Sequence, residues 1–255
     1  MSTALGAALG VKGLVKRFRG LTATDHADLD FAAGELHALI GPNGAGKTTL
    51  INLLSGELQP DAGSITYDGR DITRRSVDQR ARSGLVRSYQ ITSVFPEFTL
   101  LQNVMLAVQS LAGHSFSFMR DTRSDPRLIE PALAALELVG LGAQAALPVD
   151  TLAHGARRQL ELAMVLALRP RVMLLDEPLA GMSGAEADEM VALLTRLKRR
   201  YTIVLVEHDM QAVFSLADRL TVLVAGRPIA SGTPEAIRND PRVRDAYLGD
   251  AQELM

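Results

Sequence analysis

After residue 35 the apolar positions fall into short unbroken runs separated by longer stretches with a helical beat. The runs 35–40 (ELHALI), 172–177 (VMLLDE), 202–207 (TIVLVE) and 220–224 (LTVLV) read as buried strands. A helix is expected from Ser183, because Ser183 and Glu186 form a capping box and Met190, Leu193, Leu194 and Leu197 share one helical face. Leading into 202–207, it supplies the crossover that parallel strands need. The alternation predicts an α/β fold with a mainly parallel sheet. Residues 61–72 (DAGSITYDGRDI) carry Ala-Gly and Asp-Gly turn signals and predict an antiparallel hairpin, part of a small β subdomain beside the main sheet. Between about 99 and 168 strand signals fade; Ile129, Leu133 and Leu136 followed by Gly140 suggest helices inserted into the core. Residues 114–126 have neither period and read as a loop within that insertion.

Composition limits what such a fold can do. A chain of 255 residues with 47% hydrophobic and 22% charged residues can bury a large core. Its net charge of -2 gives no sign of a nucleic-acid partner or a polybasic membrane anchor. Arg70, Arg74, Arg75, Arg80, Arg82 and Arg87 are crowded together, but Asp68, Asp71 and Asp78 are interleaved, so this stretch reads as a solvated surface of mixed charge. The absence of cysteine excludes disulfides, thiolate metal sites and thiol nucleophiles. The start MSTALGAALG does not read as a secretory signal, and no apolar run approaches the ~18 residues of a spanning helix. Work at a membrane would require another subunit.

The candidate chemistry begins with Gly41, Pro42, Asn43, Gly44, Ala45, Gly46, Lys47 and Thr48, which fit the phosphate-loop pattern G-x-x-x-x-G-K-[ST] between a strand and a helix opening at about Thr49. A triphosphate there would meet unpaired backbone N–H groups and the positive end of a helix dipole. Lys47 would neutralise β/γ-phosphate charge and the Thr48 hydroxyl would ligate Mg²⁺. In an open α/β sheet, ligands collect at the carboxyl ends of the strands, which brings in Asp176 and Glu177. Adjacent strand residues point to opposite sides, so Asp176 suits holding Mg²⁺ and Glu177 suits orienting or deprotonating a water. His208 follows another strand and can donate to the γ-phosphate. Gln90 can touch Mg²⁺ or its water. Phe18 can stack on adenine or simply pack in a strand.

Phosphate loop, glutamine, a glycine-centred motif, acidic strand end and histidine occur in the order shown by ATP-binding cassette (ABC) transporter ATPases, and the resemblance covers about residues 10–250 with an insertion at about 91–168. It implies a cassette that works as a head-to-tail dimer. Each ATP then lies between the phosphate loop of one chain and the signature motif of the other, with Mg²⁺ as cofactor. The signature stretch Leu152-Ala153-His154-Gly155-Ala156 departs from L-S-G-G-Q at the serine (Ala153) and at the glutamine (Ala156). Gly155 and the helix after it remain, so backbone N–H groups are expected still to face the partner's nucleotide, with slower turnover. DEPLAGM, RSYQITSVFPEFTLLQNV and the stretch from VEHDMQAVF onward resemble ATP-binding subunits of branched-chain amino-acid importers. The resemblance implies a peripheral subunit on the cytoplasmic face of the cell membrane. Its expected partners are a second ATP-binding subunit, identical or not, and permease subunits contacted by about residues 91–106; a solute-binding protein is an indirect partner. A lipopolysaccharide-export ATPase and a weakly hydrolysing regulatory partner in a cassette heterodimer stay open as alternatives. A GTPase switch is disfavoured because no N-K-x-D motif occurs, and a small-molecule kinase would leave residues 152–160 and His208 without a joint role.

Overall fold

The computed structural model describes residues 7–88, 94–111 and 125–247. The chain opens with two long strands that the apolar pattern did not reveal, β1 (Ala7–Phe18) and β2 (Leu21–Ala32). Their sequence signal is weak for different reasons: β1 buries neighbouring residues in short groups, Ala8 to Val11 and Leu14 with Val15, interrupted by Lys12 and Gly13. In β2, Ala27, Leu29 and Phe31 face inward while Asp28 and Asp30 face out, and repeated register shifts between the two strands break the period. After them come β3 (Leu36–Ile40), α1 (Lys47–Ser55) and the expected hairpin, β4 (Ala62–Tyr67) with β5 (Arg70–Asp71). Asp68 and Gly69 both have positive φ (48° and 71°), the geometry that lets a two-residue turn follow the strands' twist. Strands β2, β1, β4 and β5 form an antiparallel sheet in that order.

Next along the chain are α2 (Val77–Arg82), β6 (Leu85–Arg87), α3 (Leu100–Leu111), α4 (Pro126–Leu138) and α5 (His154–Ala167). They are followed by β7 (Val172–Asp176), α6 (Gly184–Leu197), β8 (Thr202–Val206), α7 (Met210–Leu216), β9 (Arg219–Val224) and β10 (Arg227–Gly232). Two short helices, α8 (Pro234–Asn239) and α9 (Pro241–Tyr247), end the described chain. The second sheet has the order β10-β9-β3-β8-β7-β6, parallel except for β10 at its edge.

Side-chain alternation along the parallel strands divides the interior into two cores. Leu36, Ala38, Ile40, Met173, Leu175, Ile203 and Leu205 pack against helices α3 to α7. Leu39, Val172, Leu174, Val204 and Val206 point the other way, onto α1 and the antiparallel sheet through Leu50, Leu54, Leu9 and Phe31. Helix α1 is therefore clamped between two sheets, and the loop before it inherits that rigidity.

Helix α6 matches expectation: Met190, Leu193, Leu194 and Leu197 are buried, and the Glu186 carboxylate accepts from Ser183 N–H at 2.9 Å. Residues 99–168 contain three α-helices among the described residues, but the inward face of α4 is Leu128, Ala132, Ala135 and Leu136. Ile129 and Leu133 are only partly buried. Of the segment read as a loop, 114–124 lies outside the described residues and Pro126 begins α4.

The arginine-rich stretch is not wholly solvated. Arg80 is fully buried, donating from Nη1 to the carbonyls of Leu53 and Leu54 (both 2.7 Å), from Nη2 to Thr73 (3.0 Å) and from Nε to Arg75 (3.1 Å). It sits on the carbonyl end of α1, where the helix dipole favours a cation. Loss of hydration lowers its pKa to about 10, so it remains charged at neutral pH.

Candidate functional site

Between β3 and α1, Gly41 to Thr48 turn tightly over the end of the parallel sheet. Glycine is required where the main chain passes close to its neighbours: a Cβ on Gly46 (φ 100°) would lie 2.3 Å from Ala23 O, and one on Gly41 2.1 Å from Leu223 O. Gly46 is the N-cap of α1 and brings no side-chain cap, so the first turn presents its N–H groups outward. Lys47 is buried and its ammonium donates to the carbonyls of Gly41 (2.5 Å) and Pro42 (3.2 Å). Burial lowers its pKa; the carboxylates of Glu177 and Asp176 act in the opposite direction.

An open cleft of 370 Å³ covers this loop. It is lined by Phe18, Leu21, Ala23, Asn43, Gly44, Ala45, Gly46, Lys47, Thr48, Thr49, Glu177 and His208. Phe18 is 43% exposed at the β1–β2 turn, which is the availability that stacking needs and core packing would remove. Gly41 and Pro42 shape the loop from beneath the cleft. Gln90 lies outside the described residues.

The adjacent carboxylates part company at the end of β7. Glu177 leaves the strand with a φ of 51°, rare for a non-glycine residue and of the kind that clusters where function requires a fixed side chain. Its N–H bonds Val206 O at 2.8 Å, and its Oε1 lies 2.7 Å from His208 Nε2. His208 is anchored in turn: the buried Glu207 accepts from His208 N–H (3.1 Å) and Leu179 N–H (2.7 Å). Burial raises the Glu207 pKa, opposed by those two N–H groups. Together Glu177 and His208 can hold a water by a carboxylate whose direction is set by an imidazole.

Asp176 is buried away from the cleft lining, its side chain only 2% exposed, and its Oδ2 accepts from Arg87 Nη2 at 2.9 Å. Burial raises its pKa and the Arg87 guanidinium opposes the rise. Among the described residues no group of three or more acidic, histidine or cysteine side chains could hold a metal alone. A divalent ion would depend on phosphate oxygens together with Thr48 and Asp176, and the exposed Thr48 beside the lysine fits that use.

Ala153 and Gly155 lie outside this cleft, at the start of α5. Ala153 is the exposed N-cap residue and supplies no side-chain cap. His154, the first helical residue, occupies the place of the first glycine in L-S-G-G-Q, a third departure from that pattern. The Gly155 N–H, expected to be open to a nucleotide, donates to Glu186 Oε1 at 2.9 Å. A carboxylate from α6 thus caps a helix whose own N-cap cannot. Arg87, Glu207 and this use of Glu186 were missed from the sequence. The readable signals were a charge inside the short strand LVR and a carboxylate directly after the apolar run TIVLV.

The chain matches the ABC transporter family over residues 24–180 and the branched-chain amino acid ATP-binding cassette transporter family over residues 227–253. It is 41% identical over 251 residues to the high-affinity branched-chain amino acid transport ATP-binding protein BraF of Pseudomonas aeruginosa, covering 95% of this chain and 98% of BraF. To LivG of Escherichia coli K12, described in the same words, it is 39% identical over 250 residues, with the same coverage. Among solved structures, the ADP conformation of MJ1267, an ATP-binding cassette of an ABC transporter, superposes with a TM-score of 0.84 at 27% identity, covering 96% of this chain and 99% of that one. By these matches the chain belongs to the ABC transporter family, as one of its nucleotide-binding, ATP-hydrolysing subunits.

Proposed function

We propose that this chain is the motor of an importer for branched-chain amino acids or related small solutes, seated on the cytoplasmic face of the cell membrane. The observation that carries the importer reading is the match of residues 227–253, beyond the common cassette, to the branched-chain amino acid type. No helix among the described residues is long and apolar enough to cross a membrane, so permease subunits would form the path. Phe95 and Phe98 support a docking surface for them. Their rings stack with centroids 5.2 Å apart yet are 49% and 40% exposed, and Leu147 beside them is 46% exposed. A cytoplasmic helix of the permease is the occupant that fits, and the solute-binding protein would act through the permease.

ATP would lie with adenine on Phe18 and its phosphates over Gly41 to Thr49, the Lys47 ammonium turning from its loop carbonyls to the β- and γ-phosphates. Mg²⁺, held by Thr48 and Asp176, would neutralise charge on the phosphate oxygens. Glu177 would take a proton from a water as the water oxygen bonds to the γ-phosphorus and ADP leaves. His208 holds Glu177 in place and donates to the transferring phosphoryl group. The second half of the site would come from Ala153 and Gly155 of another ATP-binding subunit.

Deleting this subunit in its host is expected to abolish uptake of radiolabelled leucine, isoleucine and valine. The parent chain should restore uptake and Glu177→Gln should not. Unchanged uptake of all three in the deletion strain would contradict the substrate reading.

A further inference from the structure

Arg87 stands at the junction of three parts of the motor. It is the last residue of β6, opposite Leu174 of β7, and the next residue, Ser88, bonds Leu174 O through its N–H at 2.9 Å. Its side chain is 8% exposed. Nη2 donates to Asp176 Oδ2 at 2.9 Å, while Nη1 donates to Asn52 Oδ1 at 2.5 Å and to Glu57 Oε2 at 2.9 Å. Asn52 belongs to α1, the helix that starts at the phosphate loop, and Glu57 follows its end. Gln90 comes three residues after Arg87 in the chain.

A carboxylate as buried as Asp176 persists in charged form only beside a cation or strong donors. Arg87 supplies that charge, and its planar fork fixes direction as well. With Nη1 held by Asn52 and Glu57, the line of Nη2 toward Asp176 is set by α1. That bond engages Oδ2 and so fixes the plane in which the second oxygen, Oδ1, can be offered to an ion. Mg²⁺ tolerates little departure from octahedral geometry, so the orientation of a carboxylate near it counts in affinity.

We propose that Arg87 is a positioning residue for the metal of this ATPase, setting the direction of the Asp176 carboxylate from the phosphate-loop helix. The inference rests on the nucleotide-site reading above. Groups that orient metal-binding carboxylates typically contribute about 10–100-fold to metal affinity. An ammonium cannot reproduce the fork, so Arg87→Lys should recover only part of the loss.

The test titrates Mn²⁺, a paramagnetic stand-in for Mg²⁺, into the ADP-bound protein and reads free ion by electron paramagnetic resonance. ADP affinity in EDTA is measured alongside. Arg87→Met is expected to weaken Mn²⁺ binding about 10–100-fold, with ADP affinity in EDTA within about twofold of the parent and Arg87→Lys in between. Should Arg87→Met not fold, Asn52→Ala releases the second anchor of the guanidinium and should weaken Mn²⁺ binding in the same direction. Unchanged Mn²⁺ affinity in a folded variant overturns the proposal. So does tighter binding, which would make Arg87 a competitor of the ion. If the parent itself fails to bind ADP, it is the nucleotide-site reading that falls.

Discussion

Arg80 has no exposed surface and carries a full positive charge against backbone carbonyls of Leu53, Leu54, Thr73 and Arg75. The carbonyls of Leu53 and Leu54 belong to the last turn of α1, so the residue stabilises this helix from the end opposite the phosphate loop and ties it to the segment before α2. Arg80→Met would leave several buried acceptors without donors, at about 1–3 kcal/mol each, and should cost roughly 3 kcal/mol of stability in urea unfolding. A loss below about 1 kcal/mol would show that water or relaxation replaces the guanidinium. The burial of Arg80 was not legible in the sequence, where it is one arginine of six among interleaved aspartates. Burial depends on α2 folding back over the end of α1, a tertiary fact with no periodic trace. Glu177 and His208 were legible because each follows closely on an apolar strand, and Lys47 because the G-x-x-x-x-G-K-[ST] spacing marks it.

Helix α5 begins poorly by its own means. Ala153 offers its first turn no oxygen, and the Glu186 carboxylate fills in on the Gly155 N–H. Three N–H or O–H groups, from Ser183 backbone, Ser183 hydroxyl and Gly155, hold the Glu186 carboxyl below its ordinary pKa. The start of α5, proposed to face the partner's ATP, is thereby tied to α6. Ala153→Ser gives α5 a capping hydroxyl and should raise stability by about 1 kcal/mol. The same hydroxyl would reach the partner's γ-phosphate, and if it acts in the transition state, ATP turnover should rise about tenfold to a hundredfold. A higher melting temperature with unchanged kcat would confine this position to helix capping. The capping box of α6 could be read because its residues are three apart; the bond to Gly155 joins residues 31 apart and could not.

Across the whole molecule, the parallel strands β3, β7, β8 and β9 and the crossover helix α6 were readable, since strands covered on both faces leave unbroken apolar runs, whereas β6, three residues ending in Arg87, was too short to show one. The antiparallel sheet was recovered only at its hairpin. Strand β1 buries neighbouring residues in groups, β2 carries outward aspartates, and their pairing is bulged, so alternation is lost over the length that a pattern needs. The cleft is built where both sheets meet: Phe18 and Ala23 come from the antiparallel sheet or its turn, Glu177 and His208 from the ends of parallel strands, and the loop from between. Ala153 and Gly155 sit elsewhere on the same chain, an arrangement that makes sense when one chain completes the site of another.

The most direct test of that shared site mixes two disabled proteins. Lys47→Ala removes the phosphate-loop cation. Ala153→Asp keeps a good helix cap at the exposed start of α5 but sets a carboxylate against the partner's γ-phosphate. Each alone should hydrolyse ATP at background rate. An equimolar mixture should regain roughly a quarter of parental activity, since about half the dimers pair the two chains and each such dimer has one intact site. A mixture that stays at background, with mixed dimers present, would contradict a site shared between chains.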